Sequence, residues 1–159
     1  MNFDKLNQWI MTAANVGVLA GIVFLGVEIQ QNTTMVRAQT RDAMTEKQIA
    51  YYELNINNIE AANIFRNIEN VSEVDRTSNE YRQFTLITLA QLRMWENELY
   101  QYRQGLFDLQ ELESRRRFWA TTLRSTSLSG QARREVWENQ KEFFAPDFIE
   151  VLETLFRGE

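Results

Sequence analysis

Histidine and cysteine are both absent from the 159 residues. Without cysteine there are no disulfides, no thiolate nucleophile and no Cys-bound metal. Without histidine the usual general base near neutral pH and the commonest metal ligand are missing, and so is the Glu-x-x-His signature of di-iron helical proteins. Most familiar hydrolases, nucleases and oxidoreductases are excluded on these grounds. Carboxylate-only, Lys or Tyr catalysis would need a Gly-rich or strained loop to present it, and the chain holds six Gly. The expectation is a non-enzymatic protein with no cofactor and no metal.

Positive charge is scarce in the sense that matters for nucleic acid. The net charge is −5, the isoelectric point is near 5.0, and no basic run is long enough to follow a phosphate backbone. Nucleic acid is therefore not an expected partner. Proline occurs once, and between Gly26 and Gly105 there is neither Gly nor Pro, which favours helix over strand and turn. No convincing period-2 strand pattern appears anywhere. What the chain does have is bulk: 44% of its residues are hydrophobic and 12% aromatic, enough for a real core in one domain of ordinary size.

The longest uncharged run is "WIMTAANVGVLAGIVFLGV", the nineteen residues from Trp9 to Val27. As a helix it measures about 28 Å, close to the roughly 30 Å of a hydrocarbon core. Only Thr12 and Asn15 are polar within it. Trp9 at one margin, and Glu28 with Gln30-Gln31-Asn32 at the other, mark two water interfaces. A cleaved signal would have a basic start, a shorter apolar region and a small-x-small site, whereas Asp4 offsets Lys5 and "GVEIQQN" follows. The expectation is a single-pass transmembrane helix over residues 1–28 with a helical domain over 29–159. A helix buried on all sides in a soluble oligomer is the competing reading.

Ala13, Gly17 and Gly21 recur every four residues on one side of that helix. In lipid such a stripe lets two backbones approach closely, and Asn15 can add an interhelical hydrogen bond. The partners implied are the bilayer and either a second copy or another membrane protein. A pore lined by several spans is the alternative; the stripe suits tight packing better than a lumen. Lys5 stands alone before the span, whereas Arg37, Arg41 and Lys47 follow within about 20 residues, so the positive-inside rule places the C-terminal domain in the cytoplasm.

From Glu28 to about Asn55 the chain is polar with a thin apolar set (Val36, Ala38, Ala43, Met44, Ile49, Tyr51, Leu54), read as the membrane helix continuing outward. Asn57 is expected to cap a short helix carrying Ala61, Ala62, Phe65 and Ile68, and "ENVSEVDRTS" to be a loop. Thr77 with Glu80 reads as a capping box opening a helix that Gly105 stops. Its stretch "FTLITLAQL" is apolar on nearly every face, as at the centre of a bundle. Asp108 with Glu111 opens the next helix, Ser125 to Gly130 ends it, a further helix starts near Gln131, and Pro146 with Asp147 starts the last. The fold class expected is all-α: a transmembrane helix extending into a four- or five-helix bundle.

The stretches "YQYRQGLFD" (Tyr100 to Asp108) and "FFAPDFIEVLE" (Phe143 to Glu153), together with "VEIQQNTTMVRAQT", resemble a widespread group of small bacterial proteins of unknown function. The resemblance covers most of the chain. It implies an N-terminal hydrophobic helix, a helical domain and a bacterial source, hence the inner membrane, and supplies no activity. Where such relatives often carry Asp-Pro before the "ANIFRN" helix, Ile59-Glu60 stands here.

Two constellations have a chemical reading. Arg93, Glu96, Glu98 and Arg103 punctuate the central helix beside Trp95, Tyr100 and Tyr102. They read either as a pocket for a small polar ligand or, more simply, as an ion-pair network that sets helix register. "RRRFW" (Arg115 to Trp119), with Arg124, Arg133 and Arg134, reads either as a contact for anionic lipid headgroups or as a solvated face neutralised by Glu111, Glu113 and Glu135.

Overall fold

The computed structural model of the protein describes residues 3–63, 70–124 and 126–157, with backbone alone at Asn55, Ala61 and Ala62. Helices α1 (Phe3–Asn57), α2 (Ile59–Asn63), α3 (Asn79–Arg103), α4 (Leu109–Arg124), α5 (Leu128–Gln140) and α6 (Pro146–Arg157) follow in order, with short 3-10 turns at Val71–Glu73 and Lys141–Phe143. No strand occurs among the described residues. The chain divides into two compact units, Met1–Gln39 and Thr40–Glu159.

In the first unit the helix turns its apolar side chains outward around its whole circumference. Val23 is 67% exposed and Phe24 70%, and the same holds for Ile10, Val16, Leu19, Ile22 and Leu25. It is the one helix among the described residues that is long and apolar enough to cross a membrane. Thr12 does not leave its hydroxyl unmade: Oγ1 donates to the Gln8 carbonyl at 2.9 Å, one turn back.

The second unit has a core of its own. Leu92, Trp95 and Leu99 of α3 meet Leu112, Trp119 and Leu123 of α4, Trp137 of α5, and Phe148, Leu152 and Leu155 of α6. A smaller cluster joins Val74, Phe84, Ala132 and Val136. Aromatic rings bind the layers: Trp119 and Trp137 each meet the Phe148 ring edge-on, at 6.2 and 6.0 Å.

Helix boundaries follow backbone chemistry. Ser78, not Thr77, caps α3, its Oγ accepting from the Tyr81 amide at 3.1 Å. Thr77 instead turns its own amide and hydroxyl to Asp75 Oδ1 (2.9 and 2.7 Å), so the capping position lies one residue later than the Thr77–Glu80 spacing suggests. Asp108 caps α4 as expected, accepting from Glu111 N at 2.8 Å. Gly130 does not end a helix. Ser127 Oγ accepts from its amide at 3.2 Å, and Gly130 lies buried in the first turn of α5. Asn57 closes α1 rather than opening α2. Of the other readings, Phe65, Ile68 and Ser125 lie outside the described residues. "FTLITLAQL" is not covered on every face, since Leu86 is 57% exposed.

Gly105 ends α3 with φ +71°, the left-handed conformation that a Cβ disfavours. Its amide donates to the Tyr102 carbonyl at 2.8 Å and the Leu106 amide to Gln101 at 3.1 Å, the paired bonds that satisfy the last carbonyls of a helix. Gly105→Ala should lower unfolding stability by about 1 kcal/mol through the φ strain alone, because a Cβ there meets nothing within 4 Å. Denaturant unfolding followed by tryptophan fluorescence reads this; an unchanged midpoint would show that the turn relaxes freely.

Candidate functional site

Glu98 lies on the buried stripe of α3 and is 1% exposed. A carboxylate so placed needs donors on every side. Its Oε1 accepts from Arg115 Nη1 at 2.6 Å and from Gln48 Nε2 of α1 at 3.2 Å; its Oε2 accepts from the indole N–H of Trp119 at 3.1 Å. Arg115, itself 13% exposed, uses Nη2 to reach Glu111 Oε1 at 2.9 Å, one turn earlier on α4. The Trp95 and Trp119 rings stack 5.5 Å apart beside this cluster. A cleft of about 260 Å³ opens next to it, with Tyr52, Ser114 and Phe118 completing the wall.

Burial pushes the Glu98 carboxyl above the ordinary glutamate value, outweighing the opposite pull of Arg115 and of the Trp119 and Gln48 hydrogen bonds. The associated stability is therefore fully present below pH 4.5 and is lost as pH rises through the folded value. Glu135 runs the other way. Arg76 grips it through Nε at 2.7 Å and Nη2 at 2.9 Å and holds its carboxyl below the ordinary range. That contribution is present above pH 4.5 and is lost as pH falls through the folded value.

The residues singled out on α3 do separate work. Arg93 and Glu96 form a clip on the turn before α6. Arg93 donates to Glu96 Oε2 at 2.7 Å and to the Phe143 carbonyl at 2.9 Å, and its guanidinium lies 4.0 Å above the Phe144 ring. Glu96 Oε1 accepts from the Ala145 amide at 2.7 Å. Arg103 pairs with Asp147 in the first turn of α6. Trp95 is core, Tyr100 is exposed, and Tyr102 packs on Phe107 at 5.9 Å. Arg93 also borders a second cleft of about 330 Å³, with Lys47, Tyr51 and Asn97.

The arginine run divides similarly: Arg115 turns inward, Arg116 pairs with Glu113 at 2.8 Å, and Arg117 reaches Ser114. Arg124 caps α6 by donating to the Leu155 carbonyl at 2.7 Å. Glu135 serves Arg76 rather than this run. In the first unit Ala13, Asn15, Gly17 and Gly21 are all exposed along α1. No group of three or more acidic side chains able to hold a metal occurs among the described residues.

The Glu98–Arg115 pair is what reading along the chain missed. Glu98 stands three residues after Trp95 and next to Leu99, on the same 3-4 stripe as Leu92, and that spacing is the available signal. Arg115 lies seventeen positions further on, across the turn between α3 and α4, so the partner is not readable from spacing.

Comparison with protein-family models, curated proteins and solved structures finds no match.

Arg115→Ala leaves a buried carboxylate without its cation and should cost about 3–5 kcal/mol. Replacing Glu98 and Arg115 together by Leu should recover part of that loss, because no charge then stays buried, while the Trp119 indole is left without its acceptor. Chemical unfolding of the three chains tests this. Equal losses in the single and double variants would mean that packing, not the buried charge, sets the cost.

Proposed function

We propose that the protein is a non-enzymatic, single-pass membrane protein whose α1 crosses a bacterial inner membrane and whose remaining helices form a cytoplasmic bundle that binds itself or another membrane component. The observation that carries this reading is the outward-facing apolar surface of α1 between Trp9 and Val27, whose large side chains are exposed around the helix. Large side chains there each forfeit about 1.5–3 kcal/mol if left in water. A bilayer removes that cost on all sides at once. Membrane fractions washed with alkaline carbonate should retain the full-length chain; its appearance in the supernatant would overturn the reading.

Self-association is assigned to the stripe of Ala13, Gly17 and Gly21, with Asn15 nearby. A Cβ at Gly17 or Gly21 would meet nothing within 4 Å, and a branched side chain there fills the space into which a second helix backbone would approach. Gly17→Ile with Gly21→Ile should lower the oligomer fraction in liposomes, counted by single-molecule photobleaching, while insertion is kept. Val18 and Leu19 substitutions, off the stripe, serve as controls. An unchanged step distribution would remove the stripe from the interface.

A further inference from the structure

The part of α1 that belongs to the second unit, residues 40–57, has one covered apolar face and one uncovered. Met44 and Tyr51 are buried, and Gln48 between them donates to Glu98 of α3. About a third of a turn round the helix, Ile49, Tyr52 and Ile56 are each at least half exposed. Their spacing of three and then four residues is that of the a, d and a positions of a heptad, the row that faces a partner helix in a coiled coil. Thr45 takes the preceding d position, and Asp42, one heptad before Ile49, ends the apolar row. Phe118 of α4, itself exposed, stands with Tyr52 in the wall of the cleft of about 260 Å³ and extends the uncovered surface.

We propose that the row Ile49, Tyr52 and Ile56 docks against the same row of a second copy of the chain, the two α1 helices running parallel.

Charge selects both the occupant and its direction. In the register set by Ile49 and Ile56, Arg41 holds a g position, and Glu46 and Glu53 hold e positions. Two parallel copies bring each g residue to the e residue five positions later on the other chain, so Arg41 meets Glu46 of the second copy, twice by symmetry. An antiparallel pair would set e against e, and Glu46 and Glu53 would repel. Both glutamates are exposed. The Arg41 side chain is 70% exposed, and its Nε stands 3.8 Å from Glu111 Oε1, a long contact that contributes little in water. β-Branched residues at a favour two strands, and both a positions of the row are Ile. Parallel is also the direction open to two chains that cross one membrane by α1 in the same sense, so the proposal rests on that reading. About three turns of seam are too short to hold a helix pair from dilute solution, whereas confinement in a bilayer raises the effective concentration at which so short a contact closes.

Because the chain has no cysteine, every thiol in the test is an introduced one. Ile49→Cys, Tyr52→Cys and Ile56→Cys, made singly in the full-length chain in membranes, should each give a disulfide-linked product of twice the chain mass on mild oxidation. Lys47→Cys and Ala43→Cys, exposed at the f and b positions, should give severalfold less. In the Ile49→Cys background, Arg41→Glu or Glu46→Arg should lower the crosslinked fraction severalfold, and the two together should restore it. A role for Arg41 confined to Glu111 of its own chain does not produce that rescue. Equal crosslinking at all five positions, a product of another mass, or no rescue by the charge exchange would overturn the proposal. Absence of crosslinking in chains that carbonate-washed membranes retain would overturn the seam and leave the membrane reading standing; release of the chain by carbonate would remove both.

Discussion

A carboxylate kept almost dry beside a stacked pair of tryptophans constrains much of the second unit. Glu98 can be ionised there only if its oxygens are covered by donors, and the three donors come from two other helices. Arg115 and Trp119, four residues apart on α4, must therefore face α3 on the same side, which sets the rotation of α4. The Trp95–Trp119 stack follows from that rotation, and Phe148 of α6 packs against the same indole. One desolvated charge thus fixes which side chains the aromatic core presents, a positional role that buried ion pairs fill even when their net stabilisation is small.

Both fully buried indoles on α4 and α5 are handled alike. Trp119 donates to Glu98, and Trp137 donates to Glu153 at 3.2 Å, with Lys141 on the same carboxylate at 3.1 Å. An indole N–H left without an acceptor in a core costs about 1–3 kcal/mol, and here each of these two indoles has an acid beside it. The two acids differ in what balances them. Glu153 is partly solvated and its lysine is exposed to water, so their attraction is screened. Glu98 has neither water nor slack.

Legibility in the sequence follows the same physics. Gly105, Asp108 and Pro146 mark boundaries because backbone geometry leaves few residues able to do their work, and the structure places turns or caps at all three. Thr77 and Ser78 are chemically interchangeable as caps, and Asp75, two residues before Thr77, decides between them by engaging Thr77 first. Gly130 reads as a break because glycine usually is one, but Ser127 starts a helix across it. The open face of Leu86 is invisible to periodicity, since an apolar residue states what burial would gain and not whether a neighbour arrives. Likewise the i,i+4 spacing of Glu111 and Arg115 is legible, whereas the contact of Arg115 with Glu98 depends on how two helices are turned.

The first unit poses the opposite problem: apolar surface without a core. In water an oligomer of such helices would bury a seam and leave a polar outer face, the pattern of an amphipathic helix. Between Trp9 and Val27 no such face exists, because Thr12 and Asn15 are the only polar residues in nineteen. The distribution of size argues in the same direction. A water-soluble seam places its largest apolar residues inward, since burial drives association. Here the middle of the row that repeats every four residues is the smallest, Ala13, Gly17 and Gly21, with Trp9 and Leu25 only at its two ends. Helices that meet at their smallest side chains gain backbone proximity rather than buried area, a preference that makes sense where the surrounding medium is itself hydrocarbon.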